Sequence, residues 1–239
     1  MCGKCDRIAQ SYSDYATSLV RESAVQGFNK SIDNAIEDLV QVRKVVCFGL
    51  GSLRFKEDLT SCLNQHFFAF HIASRLNAVR NEHDGNVRVL LQDLGYTPLD
   101  KLLLAEGYTG GQLGFVCEPD GLLEIDEHTM VIGIYLPMYF PLLQICADIA
   151  RPVAIITDRV KADTKKSKYS WRDRDSPRVA RMLENYECFQ ELGGPYRLRD
   201  QEGTNLDDSN WLYRVQMWLR NNAAVEKEQD TETEDVGDS

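Results

Sequence analysis

Five residues stand where an α/β sheet does its chemistry: Gly49, Gly51, Ser52, Asp93 and Glu118. The first three follow Lys44-Val45-Val46-Cys47-Phe48, an apolar run that breaks into Gly49-Leu50-Gly51-Ser52. A short apolar run ending in glycines and opening a helix reads as the first buried strand of such a sheet. Glycines at its carboxyl end let the backbone turn tightly and come close to a ligand. Asp93 closes a second apolar run, where an acid accepts hydrogen bonds from ribose hydroxyls in nucleotide- and methyl-donor-binding folds. Glu118 closes a third, and Leu136-Pro137-Met138-Tyr139 a fourth. This layout predicts a cofactor edge, with S-adenosylmethionine or a nucleotide as the candidate. The plainer alternative stays open: the glycines serve only a tight turn, and Asp93 only bonds the chain around Gly95. If Asp93 and Glu118 shared one cleft, their repulsion would raise the pKa of one of them. There is no third glycine of a Gly-x-Gly-x-x-Gly and no phosphate-loop Gly-Lys-Ser/Thr.

Other chemistries find less support. No Gly-x-Ser-x-Gly elbow marks a serine hydrolase, and no His-Glu-x-x-His marks a zinc enzyme. The four histidines, at 66, 71, 83 and 128, lack ligand spacing. His66 falls in an apolar stripe and reads as a hydrogen-bonded core residue. His71 falls on another face and reads as solvated, and His128 reads as an exposed turn residue. The seven cysteines, at 2, 5, 47, 62, 117, 146 and 188, are scattered and odd in number, the pattern of reduced thiols. Cys47, Cys117 and Cys146 sit in apolar runs and read as small buried hydrophobes. Cys2 and Cys5 form a Cys-x-x-Cys without a second pair, so a frayed terminus is expected and no metal site. No residue is assigned a catalytic role.

The elements that must position these residues can be read in order. An amphipathic helix is predicted from Ser23 to Val42, carrying Val25, Phe28, Ile32, Ile36, Leu39 and Val42 on one face. Strand one is Lys44 to Phe48. Asp58 caps a helix reaching about Val79, in which Leu59, Cys62, Leu63, His66, Phe70, Ala73 and Leu76 recur at helical spacing. Strand two spans Val87 to Leu91. A helix over Leu99 to Glu106 follows, with Thr97 as N-cap, Pro98 at N1 and Gly107 suited to a left-handed end. Strand three covers Leu113 to Cys117, then a Glu118-Pro119-Asp120-Gly121 turn and a hairpin arm at Leu122 to Ile125. Strand four covers Met130 to Leu136, a helix Phe140 to Ala150, and strand five lies within Pro152 to Thr157. Asp158 to Asp175 is a charged loop, read equally as a mobile lid or a solvated connection. Ser176 and Pro177 start a helix with Val179, Met182, Leu183, Tyr186 and Phe189 in its stripe, ended by Gly193-Gly194-Pro195. Ser209 caps a last helix in which Trp211, Val215, Trp218 and Leu219 share a face.

Strand and helix alternate, so the prediction is an α/β fold: a Rossmann-like three-layer sandwich with a mostly parallel sheet of about five or more strands. The domain division expected is an irregular segment at 1–22, one α/β domain at 23–222 and a disordered acidic tail at 223–239. Among 239 residues, 43% are hydrophobic and 27% charged, ordinary for a globular chain. The net charge of -10 argues against nucleic acid as a general partner, although much of the excess lies in Glu226 to Asp235. No apolar run reaches the roughly 20 residues of a membrane span, and the first residues do not read as a signal peptide. Cytoplasm or nucleus is the expected location, with no membrane partner.

Three stretches together resemble the SRR-like family, named for the plant protein "sensitivity to red light reduced". They are Val45 to Leu53 with Gln65 in the helix beyond, Leu91-Gln92-Asp93-Leu94-Gly95-Tyr96-Thr97, and Thr129 to Met138. The likeness covers about Val42 to Arg159. Two departures stand out: Pro137-Met138-Tyr139 where many members have Pro-His-Cys, and Leu94-Gly95 where Asp-Pro is usual. The pattern looks more like the divergent fungal branch, and a role for the His-Cys pair does not carry over. The resemblance implies a Rossmann-like regulatory protein. Relatives are linked to circadian and light signalling in plants, and elsewhere to haem metabolism or cytoskeletal phenotypes. The expected function is therefore regulation through protein partners, with a small ligand at the Gly49–Gly51 edge. The alternative is a methyl- or nucleotidyl-type transferase using the same pocket; a haem-linked role is weakened by the missing pair.

Overall fold

The computed structural model describes residues 23–54, 59–81, 84–137, 139–160, 176–189, 212 and 215–221. Seven strands form one sheet: β1 (Lys44–Phe48), β2 (Arg88–Gln92), β3 (Leu113–Phe115), β4 (Thr129–Gly133), β5 (Ala154–Asp158), β6 (Tyr186–Phe189) and β7 (Val215–Arg220). Their spatial order is β3-β2-β1-β4-β5-β7-β6. The strands β3, β2, β1, β4 and β5 pair in parallel, with Val45 opposite both Val89 and Met130, and β7 runs antiparallel to its neighbours β5 and β6. The fold is α/β, with a mostly parallel sheet.

Helices cover both faces, and the alternation of β1 shows why its run is apolar throughout. Val45 and Cys47 face a core shared with Ile32 and Leu39 of α1 (Ser23–Leu39) and with Phe68, Ile72 and Leu76 of α2 (Leu59–Ala78). Val46 and Phe48 face the other core, with Leu142, Leu143 and Cys146 of α5 (Leu142–Asp148) and Val179, Met182 and Leu183 of α6 (Pro177–Leu183). A strand buried on both sides carries hydrophobes at every position. Between β2 and β3 runs α3 (Pro98–Gly107), and beyond β3 comes the single turn α4 (Asp120–Leu123).

Several expectations need correction. Tyr186 to Phe189 is a strand, not the end of α6, because the chain turns at Glu184–Asn185. Val215 to Leu219 is also strand: Val215, Met217 and Leu219 enter one core and Trp218 the other. With both faces buried, the apolar period no longer separates strand from helix. Leu122 to Ile125 is not a hairpin arm; Leu122 N–H and Leu123 N–H close a helical turn on Pro119 O. Gly107 is the last residue of α3, and the cap is Tyr108 in an extended conformation. Cys117 is exposed, since β3 ends at Phe115 and leaves it outside the sheet. His71 is half-buried, and its Nε2–H donates to Asn29 Oδ1 of α1 at 2.6 Å, with burial lowering its pKa. His128 is half-buried in its turn rather than exposed. The caps at Asp58 and Ser209, Gly193-Gly194-Pro195, most of the charged stretch and both chain ends lie outside the described residues. Among the described residues no helix is long and apolar enough to cross a membrane, and no cluster of His, Cys, Asp or Glu could hold a metal ion.

Candidate functional site

The chain runs β1, β2, β3 outward and then returns to place β4 beside β1. The order therefore reverses between β1 and β4, and ligands of open α/β sheets bind outside the carboxyl ends of strands at such a point. Gly49 (φ +66°) and Gly51 (φ +88°) make the bend there, both in the left-handed region that favours glycine.

Two carboxylates brace this bend through the backbone. Gly51 N–H donates to Asp93 Oδ2 at 2.8 Å and Gly95 N–H to Asp93 Oδ1 at 2.7 Å. Gly49 N–H donates to Gln92 O at 2.9 Å. One layer deeper, Asp100 is almost wholly buried in α3. Ser52 Oγ donates to its Oδ2 at 2.9 Å and Leu53 N–H to its Oδ1 at 3.0 Å. Thr97 adds its N–H and hydroxyl, each at 2.7 Å, while Thr97 Oγ1 accepts from Asp100 N–H. This is a capping box at the start of α3, extended to the glycine bend. Burial alone would raise the pKa of Asp100, but bonds from Thr97, Ser52 and Leu53 outweigh it and hold the carboxyl below its ordinary range.

The space beside the glycines is taken by side chains. A Cβ on Gly49 would lie 2.5 Å from Leu136 Cδ2, and one on Gly51 would collide with Cys62 Sγ of α2. Gly51 thus admits close helix-to-strand packing as well as the turn. Past β4, Tyr135 has φ +58°, which costs a non-glycine residue on the order of 1–3 kcal/mol. Its N–H donates to Asp158 Oδ1 and Oδ2 at 3.1 and 3.0 Å, from the end of β5.

Beneath the bend, His66 is fully buried on α2. Its Nδ1–H donates to Cys62 O at 2.6 Å, and its Nε2 accepts from Tyr96 Oη at 2.7 Å. Desolvation lowers its pKa to about 4, so it stays neutral with both nitrogens engaged. Burial pushes the Cys47 thiol up, away from the reactive thiolate.

The structure thus brings Gly49, Gly51, Ser52 and Asp93 together at the bend, with Gly49 bonded to Gln92 O, Gly51 to Asp93 and Ser52 to Asp100. Glu118 is exposed on the loop past β3, outside it. Asp100, Tyr135 and Asp158 were missed from sequence. Asp100 had a signal, the Thr-Pro-x-Asp spacing of a capping box; Asp158 was read as the first residue of a charged loop, and nothing local marks a left-handed tyrosine.

Solved structures similar to this chain include three methyltransferases. Magnesium protoporphyrin IX methyltransferase (ChlM) from Synechocystis PCC 6803 aligns at a TM-score of 0.38 and 11% identity, over 90% of this chain and 97% of that one. The N-methyltransferase NodS from Bradyrhizobium japonicum WM9 aligns at 0.36 and 9%, over 81% and 96%. The plantazolicin methyltransferase BpumL aligns at 0.33 and 10%, over 92% and 98%. No curated protein matches. The SRR1 domain matches residues 28–233, which takes in every strand of the sheet as well as the glycine bend. The chain belongs to the SRR1 domain family.

Proposed function

We propose that this SRR1-domain chain is a regulatory protein that acts through protein partners, with a small ligand held at the Gly49–Gly51 edge beside Ser52 and Asp93. The observation that carries this reading is what the edge's acids do. Asp93, Asp100 and Asp158 all accept from backbone N–H groups, and His66 is sealed in the core as a neutral ring. Polar groups arranged so build a rigid platform, not an acid–base pair facing a substrate. Exposed apolar side chains on the same edge support partner contact: Leu94, 87% exposed, leaves β2, and Tyr139, 72% exposed, follows β4. Asp93 keeps lone pairs for a ligand hydroxyl, since each of its oxygens accepts one bond and has capacity for two.

A transferase using S-adenosylmethionine or a nucleotide at the same edge is the second reading, favoured by the position of the bend at the switch point. Glu118 belongs to either reading as a residue at the rim. Thermal shift with S-adenosylmethionine, NAD(P), ATP and haem tests both. A ligand at 100 times its dissociation constant adds about 2.7 kcal/mol, roughly 5–10 °C for a chain of this size. The expected result is a rise with one compound that Asp93→Ala removes. Turnover of that compound would favour the transferase; binding without turnover, the regulatory domain. No shift with any compound would remove the ligand from the proposal and leave partner binding.

A further inference from the structure

At the switch point between β1 and β4, the place a ligand would occupy is filled by the chain itself. A Cβ on Gly49 would stand 2.5 Å from Leu136 Cδ2, and one on Gly133 would stand 2.7 Å from Leu136 Cδ1. One leucine therefore packs onto the backbone at the carboxyl ends of both strands. The residue before it, Tyr135, is left-handed with its side chain exposed, and its N–H is shared by the two oxygens of Asp158. A non-glycine residue keeps such a conformation only while its surroundings hold it there. If the carboxylate let go, Tyr135 would relax toward negative φ and swing Leu136 away from the bend.

We infer that Leu136 is a plug seated in the Gly49 bend and latched by Asp158 through the backbone of Tyr135, so that a small ligand enters only when the plug lifts. The inference rests on the reading of this edge as a ligand site. A ligand competing with the plug binds more weakly by the fraction of molecules in the open state, and removing the plug restores the lost affinity. The latch supplies the two discrete arrangements that a regulatory domain needs.

Hydrogen exchange of the full-length chain, read on peptides covering residues 45–53, tests the latch without any ligand. Asp158→Ala should speed exchange there at least tenfold. Tyr135→Pro should do the same, because proline has neither the N–H nor access to positive φ. Tyr135→Gly added to Asp158→Ala should restore exchange to within twofold of the parent, since glycine adopts the left-handed turn without the strain that drives the plug away. Unchanged exchange in both Asp158→Ala and Tyr135→Pro, or no rescue by glycine, would overturn the latch. Titration with S-adenosylmethionine and ATP then tests the plug: Leu136→Ala should bind one of them at least tenfold more tightly than the parent. Equal affinity of parent and Leu136→Ala overturns the plug while leaving the ligand site intact. Exchange effects as expected with no binding to either form uphold the latch and count against the ligand site.

Discussion

At the amino end of β1, Lys44 reaches Glu124 at 3.1 Å and Asp126 at 2.9 Å, and Arg88 reaches the same Glu124 at 2.6 Å. At its carboxyl end the bonds that the described residues make are of another kind; Asp93 and Asp100 accept from the N–H groups of Gly51, Leu53, Gly95 and Thr97. Burial alone would raise the pKa of Asp126, but bonds from Lys44, Thr129 and the His128 N–H outweigh it and hold the carboxyl below its ordinary range; its side chain is 41% exposed. Asp100 is 1% exposed. Charge at one end pairs side chains across a wet surface, where screening leaves each pair with little effect. Charge at the other end shapes the main chain, where the cost of losing a buried acceptor is high. The end where carboxylates hold backbone is the end at which we propose a ligand.

That contrast can be broken at several points. The largest effect should come from Asp100→Ala, which strands the N–H groups of Leu53 and Thr97 and the Ser52 hydroxyl. A loss of about 3–5 kcal/mol in urea unfolding is expected. Gly51→Ala should cost about 2–4 kcal/mol, from positive φ and the collision with Cys62. The cycle with Cys62→Ala should show a coupling of about 1–2 kcal/mol, because the smaller neighbour relieves the collision but not the backbone strain.

Acid offers a separate probe of the same end. His66 has a folded pKa of about 4 against an ordinary 6.5, so between those values the unfolded chain binds more protons. Its stabilising effect is complete above pH 6.5 and is lost as pH falls toward 4, about 3 kcal/mol in all. The pH profile of unfolding should flatten in that window in His66→Gln. Asp100, whose carboxyl is held below its ordinary 3.8, contributes its own loss only at lower pH. At the opposite end, Glu124→Gln should cost under about 1 kcal/mol and less still in high salt. Cutting the chain after Asn222 should leave stability unchanged, as expected of an acidic tail with few apolar residues.

Most of the parallel sheet was legible because its signals are local. Val45 to Phe48 and the glycines behind them announce a buried strand and a bend, and Thr97-Pro98 announces a helix start. The antiparallel edge was not legible. Val215 to Leu219 is apolar on both faces, so helical and strand spacings fit equally well, and only pairing with Ala154 to Asp158 decides. At the site, Gly49, Gly51 and Asp93 came from position in a pattern, yet the partners that hold them did not. The bond from Ser52 to Asp100 joins residues 48 apart in sequence, and that from Tyr135 to Asp158 joins residues 23 apart. Such partners are set by tertiary packing, which no window along the chain contains.

The most direct test melts the wild type, Asp93→Ala and Glu124→Gln side by side with S-adenosylmethionine, NAD(P), ATP and haem. The account predicts one compound that raises the melting temperature of wild type and Glu124→Gln alike and leaves Asp93→Ala where it was. An equal rise in Asp93→Ala would contradict it, because the ligand would then sit elsewhere than the glycine bend.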